Sequence, residues 1–434
     1  MTGTRGAGAD LATVHVPGDK SISHRALLFA ALARGESRVR GLLDAADPAS
    51  TASALRALGV SVAPPASATE IRIRGVGLRG LLAPSDPIDC GNSGTTARLL
   101  LGVLAGQPLT ATLTGDVSLR RRPMRRVTTP LGEMGASIEE LEGPDRLPLR
   151  ITGGQLKPLR YDGPQASAQV KSALLLAGLT AGVEVRVRQP APSRDHTERL
   201  LRAMGVPVQS GMDDGMPFVD LLPVPALDPL DLDVPGDFSS AAFFIAMGLL
   251  SREPLRIPHV GLNPTRTGLL AVLARMGASV DAQASEHSGE PTGAVVVSPS
   301  TLRGVTVEAR EIPALIDEVP VLAVLAARAE GETRIRGAGE LRVKESDRLA
   351  ALAGNLRALG VEAIDQEDEL VVTGTDAPLR GDVRCHGDHR IAMAFGVLAA
   401  LPDNQIRIDD ADAASISFPS FWTKLHRAAH RVNP

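Results

Sequence analysis

Six short polar strings are spread through this chain: Lys20-Ser21, Asn92-Ser93-Gly94-Thr95-Thr96, Ser167-Ala168-Gln169, Ser193-Arg194-Asp195-His196, Lys344-Glu345-Ser346-Asp347-Arg348 and Asp388-His389-Arg390. Each stands ahead of a run with helical apolar spacing. A helix N-terminus offers unpaired N–H groups and about half a positive charge, so such strings suit anions. Lys20, Arg25, Arg122, Lys344, Arg348 and Arg390 add a cationic focus to a chain whose formal net charge is −4. The ligand this chemistry fits is small and carries several negative charges, as phosphate and carboxylate, both of which Arg grips in bidentate fashion.

Taken one at a time, these residues have simpler readings. A Ser, Asn or Asp ahead of a helix is a cap. Arg120-Arg121-Arg122 and Arg125-Arg126 form a basic face, Asp317 and Glu318 begin an apolar helix, and His389 is a structural histidine. Cys90 and Cys385 read as small buried residues. Coincidence across all six helix openings is what favours one common site. No Cys/His metal spacing, Walker loop, Gly-x-Ser-x-Gly elbow or dinucleotide fingerprint is present.

Two repeats say how the strings are positioned. Val16-Pro17-Gly18-Asp19 returns as Val234-Pro235-Gly236-Asp237, 218 residues later in a chain of 434. A Leu/Met-Gly-Val/Ala string recurs with its glycine at 59, 135, 205, 277 and 360, at intervals of 76, 70, 72 and 83 residues. Fixed-period similarity marks one supersecondary unit used about six times. Each unit reads as a polar turn, an apolar helix, a short strand, and an amphipathic helix capped by glycine. The apolar helices are expected at 22–34, 95–105, 168–181, 239–250, 315–329 and 389–400, buried inside an α/β domain. Outer helices are expected at, for example, 197–204 and 267–276. The hinge falls at 17–19 and 234–237, with the strand at 11–16 joining the C-terminal half.

Composition agrees with a soluble globular chain of two domains: 44% of residues are apolar and 22% charged. Runs such as 173–183 and 239–251 are too short to cross a membrane. Residues 1–10 read as a flexible tail. Two cysteines fit a reducing cytoplasm. An acidic balance with ten aromatics gives no support for nucleic-acid binding. Of 46 basic residues only five are Lys, so Lys20, Lys157, Lys171, Lys344 and Lys424 stand out against Arg.

The motifs Pro17-Gly18-Asp19-Lys20-Ser21-Ile22-Ser23-His24-Arg25, Gly91-Asn92-Ser93-Gly94-Thr95-Thr96-Ala97-Arg98, Arg120-Arg121-Arg122-Pro123-Met124, Ser167-Ala168-Gln169, Arg342-Val343-Lys344-Glu345-Ser346-Asp347-Arg348 and Gly387-Asp388-His389-Arg390 resemble the 3-phosphoshikimate 1-carboxyvinyltransferase family, in order, from about residue 11 to 423. The resemblance implies two lobes, each of three βαβαββ units with buried helices in an inside-out α/β barrel, joined by a two-stranded hinge. The lobes would be 19–235 and 11–18 plus 236–434. It implies transfer of the enolpyruvyl group of phosphoenolpyruvate to the 5-hydroxyl of shikimate 3-phosphate, with release of phosphate and with no metal or organic cofactor. Shikimate 3-phosphate would be held by Lys20, Ser21, Arg25, Ser167, Gln169, Ser193, Arg194, Asp317 and Lys344. Phosphoenolpyruvate would be held by Lys20, Gly94, Arg122, Gln169, Arg348 and Arg390. Lys20, Asp317 and Glu345 would be catalytic, Asp317 as base at the hydroxyl and Glu345 as acid at the methylene carbon. A monomer inhibited by glyphosate, with no nucleic-acid or membrane partner, is the corresponding expectation.

Such chemistry needs two carboxylates in different protonation states, so Glu345 is expected with a raised pKa and Asp317 ionised. Two features depart from the family pattern. Ile416 stands where many relatives have Lys, and Glu340-Leu341 stands where some have Asn. The sister enolpyruvyl transferase acting on UDP-N-acetylglucosamine usually carries a reactive Cys between its second and third units, and no Cys lies between Cys90 and Cys385. A non-catalytic anion-binding repeat protein would leave Asp317 and Glu345 without a purpose.

Overall fold

The computed structural model describes residues 11–64, 70–287 and 289–433; the 1–10 segment, expected as a tail, lies outside the described residues. Among these, helices alternate between two kinds: α1 (Lys20–Leu32), α2 (Ala46–Ala57), α3 (Gly94–Ala105), α4 (Arg125–Met134), α5 (Ala168–Ala181), α6 (His196–Ala203), α7 (Phe238–Leu249), α8 (Gly268–Arg275), α9 (Val319–Ala326), α10 (Arg348–Ala358), α11 (His389–Ala399) and α12 (Phe421–Val432). The odd-numbered helices are buried around most of their circumference, and the even-numbered ones bury a single face. The five repeat glycines 59, 135, 205, 277 and 360 all have φ between +82° and +112°, the left-handed region in which a helix ends most easily on glycine.

The second unit shows the pattern in full. Strands Ile88–Asp89, Thr110–Thr114, Ser137–Glu140 and Leu149–Thr152 enclose α3 and α4 in a βαβαββ order. In its sheet the first pair is parallel and the others antiparallel. The third and fifth units repeat this order. The first and fourth units exchange a strand. Ala12–Thr13 runs parallel to Leu255–Gly261, and Asp231–Asp233 runs parallel to Arg34–Arg40. Where the chain crosses, Gly18 bridges Gly236; Asp19 N donates to Pro235 O at 2.7 Å, and Asp237 N to Pro17 O at 2.8 Å. The two Val-Pro-Gly-Asp phrases thus hold each other.

Buried apolar side chains form two separate clusters. One runs from Ile22 to Val234; the other takes Ala12, Val14 and residues from Phe238 to Val432. We call these the N- and C-terminal lobes. Within the first, α3 and α5 cross so closely that a Cβ on Gly102 would fall 2.2 Å from the Ala173 carbonyl oxygen, which only glycine permits.

Two boundaries differ from the sequence expectation. The first buried helix starts at Lys20, because Asp19 is already its cap and accepts from Ile22 N at 2.8 Å. The helix expected at 315–329 is confined to Val319–Ala326, behind 3₁₀ turns at Ala309–Ala314 and Ile316–Glu318. Pro313 and Pro320 cannot donate to an α-helical ladder, so Pro320 is accommodated only in the first turn of α9.

Candidate active site

The simple capping reading holds at the mouths of α1, α3, α5, α7, α10 and α11, whereas Asp195 makes no side-chain cap bond at α6. Ser93 accepts from Thr96 N at 3.1 Å, Ser167 from Val170 N at 3.4 Å, Asp237 from Ser240 N at 2.7 Å and Asp388 from Arg390 N at 2.9 Å. Each cap contributes about 1 kcal/mol. Capping and ligand binding are not exclusive, because these mouths converge. The Lys344–Arg348 string, like Ser193–His196 at α6, opens an outer helix, α10, with Asp347 as cap to Ala350 N at 3.0 Å. Asp317 and Glu318 open the fifth buried helix instead.

On the N-terminal side, Lys20 Nζ lies 2.9 Å from Asp47 Oδ2. Gly94 leaves room for Arg98; a Cβ there would sit 2.7 Å from Arg98 Nη1 and 3.5 Å from Arg122 Nη1. Gln169 accepts from Arg98 Nη1 at 2.9 Å and donates to Thr95 Oγ1 at 3.1 Å. Burial, with Arg126 and Arg122 alongside, brings the Arg98 pKa down to about 9. Arg122 donates to Asn92 Oδ1 at 2.9 Å. Arg25 turns into the lobe and donates to Thr197 Oγ1, Ser172 Oγ and the Ser21 carbonyl. The Ser193 hydroxyl donates to Gln189, while Arg194 reaches across to Asp317.

The C-terminal side supplies the carboxylates. Asp317 pairs directly with Arg194 and faces Arg266 and Arg390 at 3.7 Å each and Arg348 at 3.8 Å. Burial opposes its ionisation, but Arg390, Arg194, Lys344 and Arg266 hold it well below the usual carboxylate range. Arg348, 1% exposed, donates to Asp388 Oδ2 at 2.8 Å and to Glu345 Oε2 at 2.5 Å. Glu345 also meets Arg122 of the other lobe at 3.4 Å. Lys344 pairs with Glu340 at 2.7 Å, so the residue that departs from the family pattern is its partner. Ile416, the other departure, ends a 3₁₀ turn over Ala411–Ile416.

The protonation expected of Glu345 is corrected here. Burial does push its pKa up, yet Arg348, Arg122, His389 and Lys20 outweigh burial and hold it well below the ordinary value. Asp317 is ionised as expected. Both carboxylates are therefore charged in the ligand-free chain.

Several residues escaped the sequence reading. Asp47 had no signal beyond an Asp-Pro helix start. Arg266, 3% exposed, lies within 4.0 Å of Asp19, Asp237, Asp317 and Glu318, a hub visible only once both crossings are in place. Lys171 was marked only by its rarity; it is buried and pairs with Glu198 at 2.6 Å. The basic face divides: Arg120 and Arg125 pair with Glu142 and Glu140 at the surface, whereas Arg122 enters the cleft. Burial pushes the thiols of Cys90 and Cys385 up to about 12, in keeping with small inert core residues. Among the described residues no cluster of three or more His, Cys, Asp or Glu suits a metal ion, and no helix is long and apolar enough to cross a membrane.

Arg98 Nε, Arg122 Nε and both His389 ring nitrogens are buried and have no hydrogen-bond partner within the described chain. Arginines of both lobes and two ionised carboxylates thus converge where the lobes meet.

Known proteins of the same organisation match along nearly the full length. A relative named 3-phosphoshikimate 1-carboxyvinyltransferase from Synechococcus sp. (strain CC9605) is 48% identical over 418 residues, covering 95% of this chain and 94% of its own. A relative of the same name from Geobacter metallireducens is 46% identical over 420 residues, covering 96% of each. A solved structure of EPSP synthase from Acinetobacter baumannii superposes with a TM-score of 0.83 at 40% identity, covering 98% of this chain and 97% of its own. The enolpyruvyl transferase NikO from Streptomyces tendae shares the fold, with a TM-score of 0.73 at 20% identity, covering 96% of this chain and 95% of its own. The family model for EPSP synthase (3-phosphoshikimate 1-carboxyvinyltransferase) matches residues 7–425, and the chain belongs to that family.

Proposed function

We propose that the chain transfers the enolpyruvyl group of phosphoenolpyruvate to the 5-hydroxyl of shikimate 3-phosphate and releases inorganic phosphate, with Lys20, Asp317 and Glu345 as the catalytic groups. The observation that carries the residue assignment is the pairing of two half-buried carboxylates of the C-terminal lobe with arginines of the N-terminal lobe: Asp317 with Arg194, and Glu345 with Arg122.

That pairing suggests how the acid is made. When phosphoenolpyruvate takes Arg122, Arg348 and Arg390, the first two of which hold Glu345 ionised, that positive charge is shared with a phosphate and a carboxylate. Burial then prevails and Glu345 picks up a proton. It delivers that proton to the methylene carbon, while Asp317 takes the proton of the attacking hydroxyl. The result is a tetrahedral carbon bearing phosphate and a methyl group. Glu345, now ionised, removes a methyl proton; the double bond forms and phosphate leaves, countered by Lys20.

Lys20, Ser21, Arg25, Ser167, Gln169, Ser193, Arg194 and Lys344 make the shikimate 3-phosphate side of this reading. Arg25 contributes by holding Thr197 and Ser172 under it. Gly94 and Gln169 complete the phosphoenolpyruvate side, and Arg98 and Arg126 supply the positive charge that Ile416 cannot. The same reading takes the lobes as 19–235 and 11–18 plus 236–434, closing on the substrates as a cytoplasmic monomer, and takes glyphosate as an inhibitor. Phosphate release from shikimate 3-phosphate with phosphoenolpyruvate, compared with UDP-N-acetylglucosamine as acceptor, tests it. Release with neither acceptor would defeat the assignment.

A further inference from the structure

The two lobes meet at a place distinct from the chain crossings. The hairpin of the fourth unit has strands of nine residues, Ser279–His287 and Glu290–Ser298, where the matching strands of the second and fifth units have four. Its far end reaches α6 of the N-terminal lobe. A Cβ on Gly289 would lie 3.4 Å from Ala203 Cβ. Beside it, the Glu290 carboxylate Oε1 lies 2.8 Å from His196 Nδ1, with both side chains 2% exposed. Asn263 Nδ2 joins the two lobes again, donating to Glu290 Oε2 at 3.1 Å and to Asp195 Oδ1 at 2.6 Å. Asn263 Oδ1 in turn accepts from Thr265 N at 2.9 Å. Behind this knot, Lys171 donates to the Ser193 carbonyl at 3.2 Å.

We infer that Glu290, Asn263, Asp195 and His196 form a pivot that stays made while the lobes swing, and that they are positioning residues holding Ser193 and Arg194 against Asp317. Two features of place support this. Asn263 follows Gly261 by two residues, and Gly261 N donates to Gly236 O at 2.8 Å, so the knot lies next to a crossing, where rotation displaces groups least. Ser193 and Arg194 directly precede Asp195, so they inherit its position. Apart from His196 Nε2, these buried polar groups bond to one another, and parting them would exchange several matched bonds for water. The lobe that swings therefore carries α6 about this point.

The inference rests on the proposed reaction only for its kinetic arm. Glu290→Ala and His196→Leu are compared with His196→Asn, which retains an N–H donor near the Nδ1 position. X-ray scattering of the full ligand-free chain, thermal melting and separate KM values for the two substrates are measured. Glu290→Ala and His196→Leu are expected to enlarge the radius of gyration and raise KM for shikimate 3-phosphate about tenfold or more, with kcat within about threefold, while His196→Asn stays near wild type. Lower melting temperatures with unchanged scattering and unchanged KM would overturn the pivot, leaving the knot a stabilising contact. A wild-type chain inactive on both substrates would overturn the reaction, while scattering would still judge the pivot.

Discussion

Arg122 Nη1 of the N-terminal lobe and Glu345 Oε1 of the C-terminal lobe stand 3.4 Å apart, although 223 residues separate them in the chain. With Arg194 and Asp317 this makes two cross-lobe pairs in which a proposed catalytic carboxylate occupies an arginine that substrate is to claim. The lobes meet through the same charges that the proposed reaction assigns to ligand, so in that reading anion binding and release of the carboxylates are one event.

The first prediction concerns Glu345. Its pKa is held low in the free chain, so it is expected to titrate higher once phosphoenolpyruvate shares its arginines. The group appears in the pH profile of kcat, which reports the bound state, above its position in that of kcat/KM. Glu345→Ala and Glu345→Gln remove it and lower kcat by roughly 10²–10⁴. Identical profiles for the two quantities would contradict the switch.

Lys20 is held by Asp47 and, in the proposed reaction, counters the developing charge. Lys20→Met is expected to lower kcat by roughly 10²-fold or more, as loss of a transition-state donor does elsewhere. Asp47→Asn, which frees the ammonium without removing it, should cost far less. Phosphate-release kinetics of the pair decide between a catalytic and a merely structural ion pair.

At Gly94 the available space is small. The added methyl of Gly94→Ala falls 2.7 Å from Arg98 Nη1, so the guanidinium must move. Weaker inhibition by glyphosate and a higher KM for phosphoenolpyruvate are expected. Equal inhibition of the two proteins would place the inhibitor elsewhere.

Stability should fall in acid through buried histidines. Burial lowers the His24 pKa to about 3, from 6.5 when exposed. Between these values the unfolded chain binds the proton and the folded chain does not, so stability is full above about pH 6.5 and declines as pH falls towards 3. The slope is roughly 1.4 kcal/mol per pH unit. His24→Asn, which retains a partner for Thr51, should flatten the dependence of melting temperature on pH. An unchanged slope would exclude this histidine as its source.

Closure should follow ligand. Shikimate 3-phosphate with glyphosate neutralises cations on both faces of the cleft and is expected to reduce the radius of gyration measured by X-ray scattering. No compaction would argue against lobes that swing about residues 17–19 and 234–237.

The chain by itself determined the repeating unit and that it is used about six times. Gly59, Gly135, Gly205, Gly277 and Gly360 each need positive φ, and the buried helices are apolar on all sides; both are local demands that leave marks in composition and spacing. The repeated Val-Pro-Gly-Asp phrase marked the crossings, while its Asp19 and Asp237 proved to be helix caps as well. What only tertiary structure decided is how charges from different units meet. Arg266 becomes a hub because four carboxylates from three helix mouths arrive beside it, and no spacing in the sequence encodes that. The ionised state of Glu345 likewise depends on Arg122 from the other lobe, since electrostatic energy follows distance through space rather than separation along the chain.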